Sequence, residues 1–136
     1  MLTLVENLDD VNEFWRWLSE QPYIAVDTET TGIDVFDPNF HVRLAQVGNR
    51  DRAWVFDFRR WYGVIDEMFR VYTDRIIMHN ARYDVHAFES EGITVPWHSL
   101  DDTLIALRLA EPNKPAALKK AADRLLGAGA SGSQKD

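Results

Sequence analysis

Tyr23-Ile24-Ala25-Val26-Asp27-Thr28-Glu29-Thr30-Thr31-Gly32 opens on four apolar residues and closes on acids, hydroxyls and a glycine. A short apolar run bounded in this way reads as a buried strand, with the polar residues marking where it emerges from the sheet. Strand alternation puts Asp27 and Glu29 on one face. Two carboxylates on one face repel each other unless a cation lies between them. Hard oxygen donors of this kind suit Mg²⁺ or Mn²⁺. By itself the D-x-E spacing says little: this composition gives about one such pair by chance, and its ordinary meaning is a solvated surface pair. A position at the end of a buried strand is what makes it a candidate site.

Working outward, Val42–Val47 and Ala53–Phe56 read as two more strands, joined by the turn Gly48-Asn49-Arg50-Asp51. Three successive strands with short connections predict an antiparallel meander. Leu2–Val5 is a candidate edge strand. Asp9 or Asp10 offers an N-cap for a helix running to about Ser19, and Pro22 ends that region. Further along, a helix is expected from about Trp61 to Tyr72, a strand over Arg75–Met78, and a helix from Ala81 to about Glu91 closed by Gly92. Asp101 or Asp102 caps a helix over Thr103–Ala110, and a last helix over Ala116–Leu126 stops at Gly127. These elements give an α/β layer fold: a mixed sheet, antiparallel meander plus parallel strands, flanked by helices. One domain is expected over residues 1–127, with residues 128–136 as a flexible Gly/Ser-containing tail.

Composition limits the function. The 136 residues suit one domain, and 46% hydrophobic content with five Trp supplies a core. No apolar run approaches the ~20 residues of a membrane span, so no membrane partner is expected. The N-terminus lacks the pattern of a signal peptide. The absence of cysteine removes disulfides, thiolate zinc sites and thiol nucleophiles, and fits a cytoplasmic location. A net charge of −7 argues against a broad basic nucleic-acid surface. It does not argue against a nuclease, whose acidic site repels phosphate only until divalent ions fill it.

The second chemical element is Met78-His79-Asn80-Ala81-Arg82-Tyr83-Asp84. Asn80 and Asp84 are four apart and neighbours on one helical face, with Asp84 at the flank of the apolar stripe Ala81, Val85, Phe88. From there a carboxylate can reach over the sheet edge toward the end of the Asp27 strand. Taken alone, Asn80 reads equally as a helix cap and Asp84 as a surface acid.

Together, Asp27-Thr28-Glu29-Thr30-Thr31-Gly32-Ile33 and Met78–Asp84 resemble the first two motifs of the DEDD 3′→5′ exonucleases. The likeness is strongest to the proofreading domains of bacterial and bacteriophage family A DNA polymerases. Asp102-Thr103-Leu104-Ile105-Ala106 and Ala117–Gly127 resemble the helices that follow the second motif. The resemblance implies a ribonuclease H-like fold and hydrolysis of DNA from a single-stranded 3′ end to nucleoside 5′-monophosphates. It further implies two Mg²⁺ or Mn²⁺ ions held by carboxylates, here Asp27, Glu29 and Asp84, one activating water and one stabilising the leaving oxygen. By the same resemblance Thr28 and Thr30 match positions touching the terminal nucleotide, Ile33 a wedge against the last bases, and Asn80 and Tyr83 residues beside the strand end. Each also has a structural reading: turn threonines, a core isoleucine, a helix cap, a core tyrosine.

The family's fourth carboxylate, with its Tyr or His partner, is not found after the Leu125-Leu126-Gly127 helix end, so a domain incomplete at its C-terminus is expected. His98-Ser99-Leu100-Asp101-Asp102 approximates the histidine version, but comes too soon and one residue short, and Asp102 is better explained as a helix start. A polymerase domain in a longer chain is the expected partner. The competing functions are a stand-alone RNA or oligonucleotide trimmer and a catalytically dead module that binds nucleic acid or packs against a polymerase. The four histidines lack zinc spacing. The tryptophans read as packing residues with Trp97 the best exception, and Arg50, Arg52, Arg59 and Arg60 form a mixed solvated face rather than a phosphate track.

Overall fold

Along the Asp27 strand, burial alternates strictly: Ile24, Val26 and Thr28 are covered, while Ala25, Asp27 and Glu29 face the other way. The computed structural model describes residues 1–127. Its elements are β1 (Leu2–Leu4), α1 (Leu8–Ser19), β2 (Tyr23–Thr30), β3 (Val42–Gly48), β4 (Ala53–Asp57), α2 (Tyr62–Val71), β5 (Arg75–Met78), α3 (Ala81–Ser90), β6 (Leu100–Asp102), α4 (Thr103–Ala110) and α5 (Leu118–Leu126). The sheet order is β1-β4-β3-β2-β5-β6. Strands β2, β3 and β4 form the expected antiparallel meander, and the pairs β1/β4, β2/β5 and β5/β6 are parallel.

The covered face carries Ile24, Val26, Ala45, Val47, Trp54, Phe56, Ile76 and Met78. Phe14 of α1 meets Trp54 and Phe56 edge-on, with ring centroids 5.5 and 4.9 Å apart. Phe88 of α3 packs against Phe69 of α2 at 5.0 Å. Each such fully buried side chain contributes roughly 1.5–3 kcal/mol, so this layer anchors the fold. Over the other face, a cavity of about 600 Å³ is bordered by Ala25, Asp27, Gln46, Ile77, His79 and, from α5, Leu118.

Two features shape the end of β2. Strand β5 pairs only with Tyr23–Ala25, so from Asp27 onward that side of β2 has no strand partner. A register shift between Glu29 and Thr30 then bends the strand end.

Some boundaries differ from expectation for identifiable reasons. The N-cap of α1 is Asn7, whose side chain accepts the Asp10 N–H at 2.9 Å. Asp9 and Asp10 sit in the first turn instead, where they complement the helix dipole. Helix α5 begins at Leu118 rather than Ala116, because Ala117 is still extended (ψ 139°). Strand β6 was not foreseen; it has three residues and exists through pairing with Ile76–Met78. The tail expected over 128–136 lies outside the described residues.

Candidate active site

The site is built on the partnerless end of β2. Asp27 and Glu29 project on the solvent-facing side, and Thr28 between them points inward. Helix α3 enters beneath the strand, and Thr28 Oγ1 donates to Asp84 Oδ1 at 2.6 Å. Asp84 is only 3% exposed. Burial pushes its carboxyl up to about 7; Thr28 hydrogen bonds pull it down, while the charges of Asp27 and Asp102 add to the rise. Asp27 shows the same effect more weakly: burial raises its carboxyl, against a Thr28 backbone hydrogen bond and nearby His79. By surface area Asp27 is exposed, so its desolvation is partial. The two acids thus sense each other across one threonine. Among the described residues, no three His, Asp or Glu side chains are already gathered as an ion-holding cluster.

The placement of Asp84 depends on the first residues of α3. Asn80 adopts the left-handed conformation (φ 62°, ψ 57°), and among the described residues no other non-glycine has positive φ. It occupies the N-cap position, yet its side chain makes no capping bond. The cap comes from Asp102 at the end of β6. Asp102 Oδ1 accepts the N–H groups of Asn80 and Leu104, and Oδ2 that of Ala81, each at 2.9 Å. One carboxylate therefore caps α3 and α4 together. Sequence reasoning found the α4 cap and missed the α3 one, because nothing local to Asp102 shows that β6 lies beside the end of β5. His79 shares this corner: Nδ1 is 2.9 Å from Thr103 Oγ1, and Nε2 is buried with no hydrogen-bond partner among the described residues.

Beyond Glu29, Thr30 Oγ1 lies 2.6 Å from both Gly32 O and Tyr83 Oη, and Tyr83 Oη donates to Gly32 O at 2.9 Å. The Tyr83 ring stands edge-on to buried Phe40. Thr30, Tyr83 and the loop start are thus one hydrogen-bonded unit. Ile33, on that loop, is 91% exposed, which removes the core reading of this residue. Trp54 is wholly buried and Trp97 is exposed. Arg52 pairs with Glu13 and stacks over buried Trp54; it is largely covered, so it departs from the solvated face expected of it. Asp101 of the His98–Asp102 segment pairs with Arg75.

A family model described as 3′-5′ exonuclease matches residues 2–135. The chain belongs to this exonuclease family. The type is that of family A DNA polymerases. A DNA polymerase of Mycobacterium phage D29 is 34% identical over 113 residues, covering 79% of this chain and 18% of that protein. The exonuclease domain thus spans about a fifth of that relative's length. The catalytic core of RRP6 from Trypanosoma brucei superposes with a TM-score of 0.75 at 24% identity, over 93% of this chain and 34% of that one. Escherichia coli RNase D, described as an exoribonuclease involved in structured RNA processing, gives 0.73 at 19%, over 100% and 36%. The exonuclease domain shares with them the ribonuclease H-like fold, as expected.

Proposed function

We propose that the domain is a two-metal-ion 3′→5′ exonuclease of the DEDD type. It would hydrolyse the terminal phosphodiester of single-stranded DNA to nucleoside 5′-monophosphates, as the proofreading part of a cytoplasmic DNA polymerase. The observation that carries this reading is the coupling of Asp27 to buried Asp84 through Thr28, at the exposed end of a sheet strand, in a chain of the exonuclease family. Two acids whose carboxyls are raised by burial gain from a hard divalent cation, and their oxygen donors fit Mg²⁺ or Mn²⁺ in kind. Such ions supply Lewis-acid stabilisation of the charge that develops at the phosphate.

The residues divide the remaining work. Asp27, Glu29 and Asp84 hold the ions, and Thr28 aims Asp84 while its backbone N–H steadies Asp27. Thr30, Tyr83 and Asn80 border the place for the terminal nucleotide, and Ile33 stands free to wedge against the last bases. Asp102 does not fill the role of a fourth ligand, since both of its oxygens already accept backbone N–H groups. The fold shared with RNase D favours a second reading, the trimming of RNA.

The test is degradation of end-labelled single-stranded DNA and of the same sequence as RNA in Mn²⁺, beside Asp27→Ala, with Mn²⁺ binding followed by electron paramagnetic resonance. Stepwise loss from the 3′ end of DNA, abolished together with tight Mn²⁺ binding in Asp27→Ala, is expected. Faster loss of RNA would favour the second reading. Mn²⁺ binding indifferent to Asp27→Ala would leave a dead module.

A further inference from the structure

Strand β3 uses one more residue than β2 where the two run past the acids. Glu29 stands opposite Leu44 and Thr30 opposite Val42, so Arg43 has no counterpart in β2. A bulge of this kind bends the strand and re-aims the side chains beside it. Here it falls directly after Glu29, the outer of the two strand acids. The backbone around it is held from several sides. Phe58 N–H donates to Arg43 O at 3.0 Å, and Thr31 N–H donates to His41 O at 2.9 Å, while the Thr31 hydroxyl accepts the His41 N–H. Val42 N–H donates to a side chain, Glu91 Oε1, at 3.3 Å. The same oxygen lies 3.3 Å from His41 Nδ1.

Glu91 comes from the far end of α3, and its own place is fixed. Its N–H donates to Phe88 O, its carbonyl accepts the Tyr62 hydroxyl at 2.7 Å, and Gly92 follows in the left-handed region (φ 85°). A Cβ on Gly92 would stand 3.2 Å from Tyr62 Oη, so the turn closes tightly at this point. The Glu91 side chain is only 21% exposed. Asp84 lies seven residues earlier, two helical turns and about 10 Å away along the same face. One helix therefore grips the sheet twice. Asp84 meets Thr28 of β2, before the bulge, and Glu91 meets Val42 of β3, opposite Thr30 and after it. A rigid helix between the two grips fixes the bulge relative to Asp84.

We propose that Glu91 is a positioning residue for the ion site. It touches neither ion nor substrate. By holding β3 at the bulge it sets the direction in which Glu29 leaves the strand, and so the separation of Glu29 from Asp84. The inference rests on the reading of Asp27, Glu29 and Asp84 as ion ligands. His41 shares the Glu91 oxygen but is half exposed, and the contact that carries the effect is the one to the Val42 backbone.

Mn²⁺ affinity, followed by electron paramagnetic resonance, tests it apart from turnover. Glu91→Ala weakens binding roughly tenfold, and Glu91→Gln stays within about twofold of wild type, because its amide oxygen still accepts the Val42 N–H. Glu91→Asp keeps the charge but falls one methylene short, and behaves as Glu91→Ala. In a Glu29→Ala background Glu91→Ala weakens binding no further, since the acid it aims is gone. Amide hydrogen exchange at Thr30 and Val42, measured without any ion, quickens in Glu91→Ala and recovers in Glu91→Gln. His41→Ala leaves both readouts unchanged. Unaltered Mn²⁺ affinity in Glu91→Ala and Glu91→Asp overturns the positioning role. An equal loss in the Glu29→Ala background does so too, as does a loss in His41→Ala that matches Glu91→Ala. Asp27→Ala binding Mn²⁺ as tightly as wild type overturns the ion-site reading itself, and the positioning role with it, through Asp27 rather than Glu91.

Discussion

Asp84 is an acid that the fold has moved into the wrong solvent. Its carboxyl is raised from about 3.8 unfolded to about 7 folded, so between those values the folded protein holds a proton that the unfolded chain has lost. Stability from this group is therefore full below about pH 4 and lost as pH rises through 7, by up to about 4 kcal/mol. Urea unfolding in EDTA at pH 4.5, 6 and 8 should show Asp84→Asn gaining on the wild type as pH rises; a constant difference would contradict this. Thr28→Val keeps the shape but removes the hydroxyl donor. It is expected to lower stability at pH 8 by about 1–2 kcal/mol, measured in the same way, and by less at pH 4.5, where the acid is neutral. The alternation of Asp27, Thr28 and Glu29 was legible in the sequence. The burial of Asp84 was not. Its place at the flank of the Ala81, Val85, Phe88 stripe leaves open what lies above it, and that is decided by a strand more than fifty residues earlier.

At the scale of elements, the joint between β6, α3 and α4 combines a left-handed residue with a shared cap. Asp102→Ala strips the acceptor from three backbone N–H groups, two of them at the left-handed start of α3. A loss of about 2–4 kcal/mol in denaturant unfolding is expected, well above the ~1 kcal/mol typical of a single lost helix cap. The β3–β4 hairpin has a comparable weak point. A Cβ on Gly48 would stand 2.5 Å from Arg52 O, so Gly48→Ala must shift backbone, and about 1–3 kcal/mol of destabilisation should appear in the same assay. The strands of the meander and most helix ends were readable, because apolar periodicity and capping chemistry are local. The three-residue β6 was not, because only its neighbour makes it a strand.

For the whole molecule, the expected consequence of ion binding is a melting temperature that rises with Mn²⁺ concentration and falls back on chelation. Binding to the folded state at a hundred times the dissociation constant adds about 2.7 kcal/mol. Differential scanning fluorimetry checks this; the rise should vanish in Asp27→Ala, and a rise of equal size in that variant would place the ion elsewhere. The mixed sheet and its family were legible from two motifs in their strand and helix setting. The architecture around the site, with one open sheet face and one carboxylate capping two helices, emerged only from the assembled chain. Among the described residues no helix is long and apolar enough to cross a membrane.

The left-handed Asn80 has one more effect. It turns the chain into α3 two residues after Met78, beyond the last β2 pairing of β5 at Ile77. Had the chain continued straight, backbone would occupy the edge where Thr28 meets Asp84. The length of one short strand thus meters the width of the opening, and the unusual backbone angle at Asn80 keeps the following chain out of it.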